Sequence, residues 1–274
     1  MKNEICPSYV IFIGPGKCGT STYANVLKSS NNKNYCLSKV KETNFLLRPI
    51  RNKDLSNYHN YFDKYNSGPY VEVSNLYFFS NIFRNNLEFI SNYKLVVTLR
   101  DPLERLISHL FQYMRTKKYS SLDEALDCNQ DVIYRSLFGY QLSKFLKYKE
   151  NILILKLEDL KSQPKYCFDS LRSFTGLDLY QSYLSLPDHL KRSNSKMLSR
   201  SAYLTGILKS FSPLLREKIP TLFEKIRFND ITTKILYTRD FQEIEPLSNT
   251  TIENLNSIFK KDAELVKNEW EIDI

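Results

Sequence analysis

The segment Tyr9-Val-Ile-Phe-Ile-Gly-Pro-Gly-Lys-Cys-Gly-Thr-Ser-Thr22 constrains the chain more than any other. A short apolar run enters a turn holding Gly14, Gly16 and Gly19, and the hydroxyls of Thr20, Ser21 and Thr22 then open a helix. A strand, a glycine loop and a helix start in this order build an anion site. Its parts are backbone N–H groups, the positive end of a helix dipole and one ammonium group, that of Lys17. The lysine precedes Cys18-Gly19-Thr20 instead of closing a G-x-x-x-x-G-K-[ST] run, so the loop departs from the pattern of Mg-ATP sites. Taken alone, it is either a phosphate or sulfate cradle or a plain glycine turn with an exposed lysine.

Three further apolar runs, Tyr70–Val73, Leu95–Leu99 and Ile152–Leu155, repeat the theme. Helices are expected over Ser21–Ser29, Asp54–Tyr65, Pro102–Met114, Ser136–Lys147 and Pro164–Phe174, the last closed by Gly176 as a C-cap. Short apolar strands alternating with helices predict the α/β class, with a central parallel sheet flanked by helices. Beyond Asp178 strand signals thin out, and the chain finishes in an amphipathic stretch, Thr250–Asn268. No Gly/Ser linker intervenes. The 274 residues read as one domain with a core at about 9–177 and a helical lid or flank at about 178–274.

The formal charge of +9 favours an anionic ligand, or reflects a Lys- and Asn-rich surface. No arginine-rich stripe or nucleic-acid motif accompanies it, so DNA and RNA are not expected partners. The five cysteines, Cys6, Cys18, Cys36, Cys128 and Cys167, form no C-x-x-C pair. An odd number without such spacing disfavours zinc and disulfide frameworks and fits a reducing compartment. Met1–Pro7 lacks the apolar stretch of a signal peptide, and no run approaches a membrane span. A cytoplasmic chain without a metal is the expectation.

A second segment, Leu95-Val-Val-Thr-Leu-Arg-Asp-Pro-Leu-Glu-Arg-Leu-Ile-Ser-His109, narrows the reading. Asp101 suits an N-cap, Pro102 the first helical position, and Glu104 the capping-box spacing. Leu103, Leu106, Ile107, Leu110 and Met114 form an apolar stripe expected to dock this helix on the sheet. Arg100 leaves a strand end, where open α/β sheets bind ligands, and Ser108 lies nearly two turns into the helix. A guanidinium and a hydroxyl so placed can grip one phosphate; otherwise they are a capping ion pair and a surface filler.

The two segments together resemble the sulfotransferase family that uses 3′-phosphoadenosine 5′-phosphosulfate (PAPS), a resemblance that implies a P-loop-like three-layer α/β core. Gly139–Leu146, Ile152–Leu160 and Phe174–Leu177 extend the likeness, which spans roughly residues 9–177. The resemblance implies that Lys17, Cys18, Gly19, Thr20, Ser21 and Thr22 cradle the 5′-phosphosulfate, and that Arg100 and Ser108 bind the 3′-phosphate. The family's last nucleotide contacts come from a late basic stretch. Here its counterpart is Lys191–Arg200, with Lys196 and Arg200 as candidates, although the stretch has no glycine.

Lys39-Val-Lys-Glu-Thr-Asn-Phe45 is similar to the Lys-Glu-x-x-Phe segment of heparan-sulfate-type and bacterial members, which makes Glu42 the candidate general base. The alternative is a surface Lys–Glu pair of little energetic consequence. Glu72-Val-Ser-Asn-Leu-Tyr-Phe78 resembles the family's acceptor-side Glu-Lys-x-Pro-x-Tyr-Phe segment, with Val73 in the lysine position and Asn75 in the proline position. Tyr77 is a candidate for stacking on a sugar ring, or else a core aromatic. The reading is a PAPS-dependent sulfotransferase, needing no metal, acting on a glycan or small-molecule acceptor. The competing readings are a P-loop kinase or nucleotide phosphotransferase, and a nucleotide-binding relative that has lost catalysis.

Overall fold

The computed structural model of the chain describes residues 9–31, 34–51, 54–63, 68–114, 119–191, 198–199, 237–238 and 244–274. Five strands, β1 (Tyr9–Phe12), β2 (Cys36–Leu37), β3 (Tyr70–Val73), β4 (Tyr93–Leu99) and β5 (Ile152–Lys156), form one sheet in the order β2-β3-β1-β4-β5. Every pairing in it is parallel; Phe12 stands beside Val73 on one side and Val96 on the other. All four residues of β1 are buried, as an interior strand of a parallel sheet requires.

The helices in chain order are α1 (Thr20–Ser29), α2 (Leu55–His59), α3 (Asn81–Asn86), α4 (Pro102–Met114), α5 (Leu122–Asp127), α6 (Asp131–Tyr134) and α7 (Phe138–Ser143). They continue as α8 (Leu157–Ser162), α9 (Pro164–Thr175), α10 (Tyr180–Leu184), α11 (Asp188–Lys191) and α12 (Asn249–Trp270). Two helices start and stop where local signals place them. The Asp101 carboxylate accepts from the Glu104 N–H at 2.7 Å, and Pro102 opens α4. Gly176 adopts φ 78° at the end of α9, and its N–H reaches the Arg172 carbonyl at 2.8 Å. The expected helix over Ser136–Lys147 is shorter, and a 3-10 turn over Leu146–Asn151 follows it. The two-residue β2 carries too little pattern to be foreseen.

The chain divides into two compact units, one of residues 1–100, 141–193 and 274, the other of residues 101–140 and 194–273. The first holds the five-stranded sheet. On one face Val10, Phe12, Val71 and Val96 pack with Tyr23 and Leu27 of α1 and Phe168 and Leu171 of α9. In the second unit the stripe of α4, read from sequence as a sheet-docking face, packs otherwise. Leu106, Leu110 and Met114 meet Leu122 and Leu126 of α5 and Leu255 and Phe259 of α12. Within the same unit Asp262 of α12 accepts the N–H groups of Gly139 and Tyr140 at 2.7 and 2.8 Å, which caps the start of α7. Burial pushes the Asp262 carboxyl up, and these bonds pull it back. Leu198–Ser199 and Tyr237–Thr238 form a short antiparallel pair in this unit.

Candidate active site

The anion loop leaves the sheet at the carboxyl end of β1, between β3 and β4. The pairing runs on past the strand: the Ile13 N–H reaches the Val96 carbonyl, and the Ser74 N–H the Phe12 carbonyl, both at 2.9 Å. Gly14 is confined by this closeness, since a Cβ there would sit 2.7 Å from the backbone nitrogen of Thr98 on β4. Gly14→Ala is therefore expected to destabilise the first unit by about 1–3 kcal/mol and to weaken anion binding, because β1 and β4 must part. Denaturant midpoints check the first effect and ligand titration the second.

Lys17 and Gly19 both lie in the left-handed region, at φ 76° and 86°. Glycine adopts it freely, whereas lysine is strained there by about 1–2 kcal/mol. Such strain persists where the surrounding structure enforces it, commonly at functional sites. Gly19 caps α1 and contributes no side-chain bond to it. The first-turn amides of Thr20 and Ser21 thus have no intrahelical partner, as at any helix start. Lys17, half-buried, precedes them in the loop. Backbone donors, a helix dipole and an ammonium suit an anion. Thr20 and Ser21 open α1, and the Thr22 hydroxyl donates to the Lys191 carbonyl at 2.8 Å, tying α1 to α11.

Glu42 follows β2 and is 8% exposed, so it is not a solvated surface residue. Its φ is 63°, and its backbone N–H is fixed on the Val73 carbonyl at 2.9 Å. The carboxylate is held at both oxygens: Lys41 Nζ lies 2.7 Å from Oε1, and the Asn75 N–H donates to Oε2 at 2.8 Å. Asn75 also joins this group to the anion loop, because a Cβ on Gly16 would lie 3.1 Å from the Asn75 side-chain nitrogen. Sequence reading noted Asn75 only as a residue in a proline position. A proline has no N–H to give Glu42.

Behind Glu42 lies Glu72 of β3, which is 0% exposed. Burial pushes its carboxyl up, opposed by hydrogen bonds from the hydroxyls of Ser74, Thr43, Tyr58 and Tyr77. Tyr58 and Tyr77 are themselves pushed up by burial and by the neighbouring Glu72. Tyr77, the candidate for sugar stacking, is 0% exposed and stacks on Phe83 with ring centres 4.5 Å apart. The structure places it in the core. Lys28 and Lys41 line a shallow pocket with Ala24, Leu37, Ser38 and Val73.

Arg100 leaves β4 half-buried, at the same carboxyl edge of the sheet. Ser108 belongs to the second unit, where it is buried on α4 next to His109, whose ring stacks on Tyr113 at 4.8 Å. Lys196 and Arg200 lie outside the described residues. The sequence pointed to Glu42 but not to the Asn75 N–H that holds its carboxylate, nor to the Thr43–Glu72 bond beside it. One signal was present, an acidic residue inside the apolar run Tyr70-Val-Glu-Val73. Among the described residues no group of side chains could hold a metal ion, and no helix is long and apolar enough to cross a membrane.

The fold recurs among solved structures. A sulfotransferase from Alicyclobacillus acidocaldarius aligns with 98% of this chain and 98% of its own, at 14% identity and a TM-score of 0.62. A sulfotransferase domain from the curacin biosynthetic pathway aligns at 13% identity and a TM-score of 0.48, covering 69% of this chain and 81% of that one. Mouse sulfotransferase SULT7A1, solved with PAP, does so at 12% identity and a TM-score of 0.46, covering 84% of this chain and 88% of that one. No curated protein matches the sequence. The pattern of the sulfotransferase domain, however, matches residues 7–219, a span that contains the anion loop, Glu42, Arg100 and Ser108; the chain belongs to the sulfotransferase family.

Proposed function

We propose that this sulfotransferase takes the sulfuryl group of PAPS and delivers it to a hydroxyl of a glycan or small-molecule acceptor. The observation that carries this reading is the junction at Asn75. One residue packs on the anion loop through its side chain and holds the buried Glu42 carboxylate through its N–H. The donor set fits a phosphosulfate: backbone amides at an uncapped helix start, one ammonium and no carboxylate within the loop.

PAPS supplies an SO₃ group on a phosphate leaving group. Lys17 neutralises the charge that grows on that phosphate, while the amides opening α1, with Thr20 and Ser21, fix its position. Glu42 takes the acceptor hydroxyl's proton on a carboxylate oxygen that Lys41 and Asn75 keep aimed. By motif position, Arg100 is the residue of the first unit assigned to the 3′-phosphate.

A thermal-shift titration tests the donor. Adenosine 3′,5′-bisphosphate (PAP) without Mg²⁺ is expected to raise Tm by about 5 °C once its concentration exceeds Kd a hundredfold. Stabilisation by Mg-ATP with no response to PAP overturns the reading in favour of a kinase or nucleotide phosphotransferase. Stabilisation by PAP without sulfate transfer from PAPS to any acceptor tried, water included, marks a relative that only binds the nucleotide.

A further inference from the structure

The carboxylate of Glu72 is wholly buried and takes no part in the chemistry above, yet four hydroxyls converge on it. Oε1 accepts from Thr43, from Ser74 and, at 3.0 Å, from Tyr77; Oε2 accepts from Tyr58. These donors come from three stretches of chain: Thr43 beside Glu42, Tyr58 on α2, and Ser74 with Tyr77 on either side of Asn75. Thr43 is the residue after Glu42, and the Tyr77 hydroxyl also accepts the Leu46 N–H at 3.1 Å, so the stretch 43–46 is fastened to Glu72. Ser74 is the residue before Asn75, whose N–H holds Glu42 Oε2, so the stretch 74–77 is fastened to it as well.

A buried carboxylate is a costly way to hold two loops if stability alone is served, since an apolar pair of similar size avoids the desolvation penalty. What four directed acceptor bonds add is a fixed relative position for the stretches that carry Glu42 and its amide donor. Glu42 has φ 63° and Asn44 φ 55°, a backbone that only surrounding contacts keep in place.

We propose that Glu72 is a positioning residue for sulfuryl transfer: it locks Thr43 and Ser74 so that the Asn75 N–H and the Glu42 carboxylate stay in register. The inference rests on Glu42 being the general base. Glu72 touches neither donor nor acceptor and works through Glu42 alone.

The test is a double-mutant cycle on sulfate release from labelled PAPS, with water as the acceptor, in wild-type and E42Q backgrounds. E72Q puts an amide NH₂ where only acceptor oxygens stood, so at least one hydroxyl that donated to Glu72 must turn or move away. It is expected to lower kcat by roughly 10–100-fold in the wild-type background and by less than about twofold in E42Q. The PAP concentration at half-maximal thermal shift should stay within about threefold of wild type. Equal loss in both backgrounds, or a matching loss of PAP binding, reduces Glu72 to a structural residue and overturns the proposal. If E72Q does not fold, T43V cuts one link while leaving the carboxylate buried, and the same pattern is expected of it.

A second reading is independent of turnover. With isotopically labelled asparagine, the Asn75 amide proton is expected to move upfield in E42Q, which removes its charged acceptor, and in the same direction in E72Q or T43V. An unmoved Asn75 resonance in folded E72Q or T43V overturns the proposal. An E42Q enzyme with wild-type turnover refutes the base role of Glu42, and the resonance still reports whether Glu72 positions that side chain.

Discussion

Lys17→Ala is expected to lower kcat by about 10²–10³-fold, the loss seen when one donor to a developing oxyanion is removed. Lys17 is the sole cation within the loop Gly14–Gly19, and it sits beside a helix start with no side-chain cap. Charge on the leaving phosphate increases through sulfuryl transfer, so the ammonium acts more strongly in the transition state than in the bound donor. Binding of PAP should weaken as well, which thermal-shift titration reads. A companion variant separates charge from strain. Lys17→Gly relieves a left-handed backbone worth about 1–2 kcal/mol, so it should fold at least as stably as Lys17→Ala yet turn over no faster. Wild-type kcat in Lys17→Ala would remove the leaving-group role.

Glu42→Gln is expected to lower kcat by about 10²–10⁴-fold while leaving PAP binding within a factor of about two. The substitution keeps shape and keeps an oxygen for the Asn75 N–H, but it removes the group that accepts the acceptor's proton and the partner of Lys41. Because Glu42 is buried and held at both oxygens, its loss is also expected to lower stability modestly, by about 1–3 kcal/mol. Kinetics and stability should therefore be measured on the same preparation. Unchanged turnover in Glu42→Gln would exclude it as the base.

These two residues show how far local pattern carries. Lys17 stands in a segment whose meaning is contiguous: apolar strand, glycine turn, hydroxyl-rich helix start. Backbone sterics and helix-start chemistry act over a few residues, so the structure repeats what those residues specify. The same holds for Asp101 and Pro102 at the start of α4 and for Pro164 and Gly176 at the ends of α9. Glu42 was legible as a candidate only through family likeness, since Lys-Glu pairs are common on surfaces. Its burial, its clasp by Asn75 33 positions away and the Glu72 hub behind it are contacts between β2, β3 and the turns that follow them.

Two further departures have the same origin. Tyr77 reads from the sequence as a stacking platform or, more commonly for such aromatics, a core ring, and the hydrogen bonds of its hydroxyl to Glu72 and Leu46 put it in the core. The apolar stripe of α4 fixes that a face is buried without saying by what; Leu122, Leu255 and Phe259 are what cover it. By itself, then, the sequence determined the strand–helix alternation, the start of α4, the ends of α9 and the glycine turn before α1, because each depends on neighbours in the chain. The tertiary structure alone decided that a two-residue strand belongs to the sheet, that Glu42 is buried and aimed, and that Glu72 fastens both stretches around it. Those depend on side chains tens of residues apart meeting at the carboxyl edge of one parallel sheet, a meeting that no local periodicity encodes.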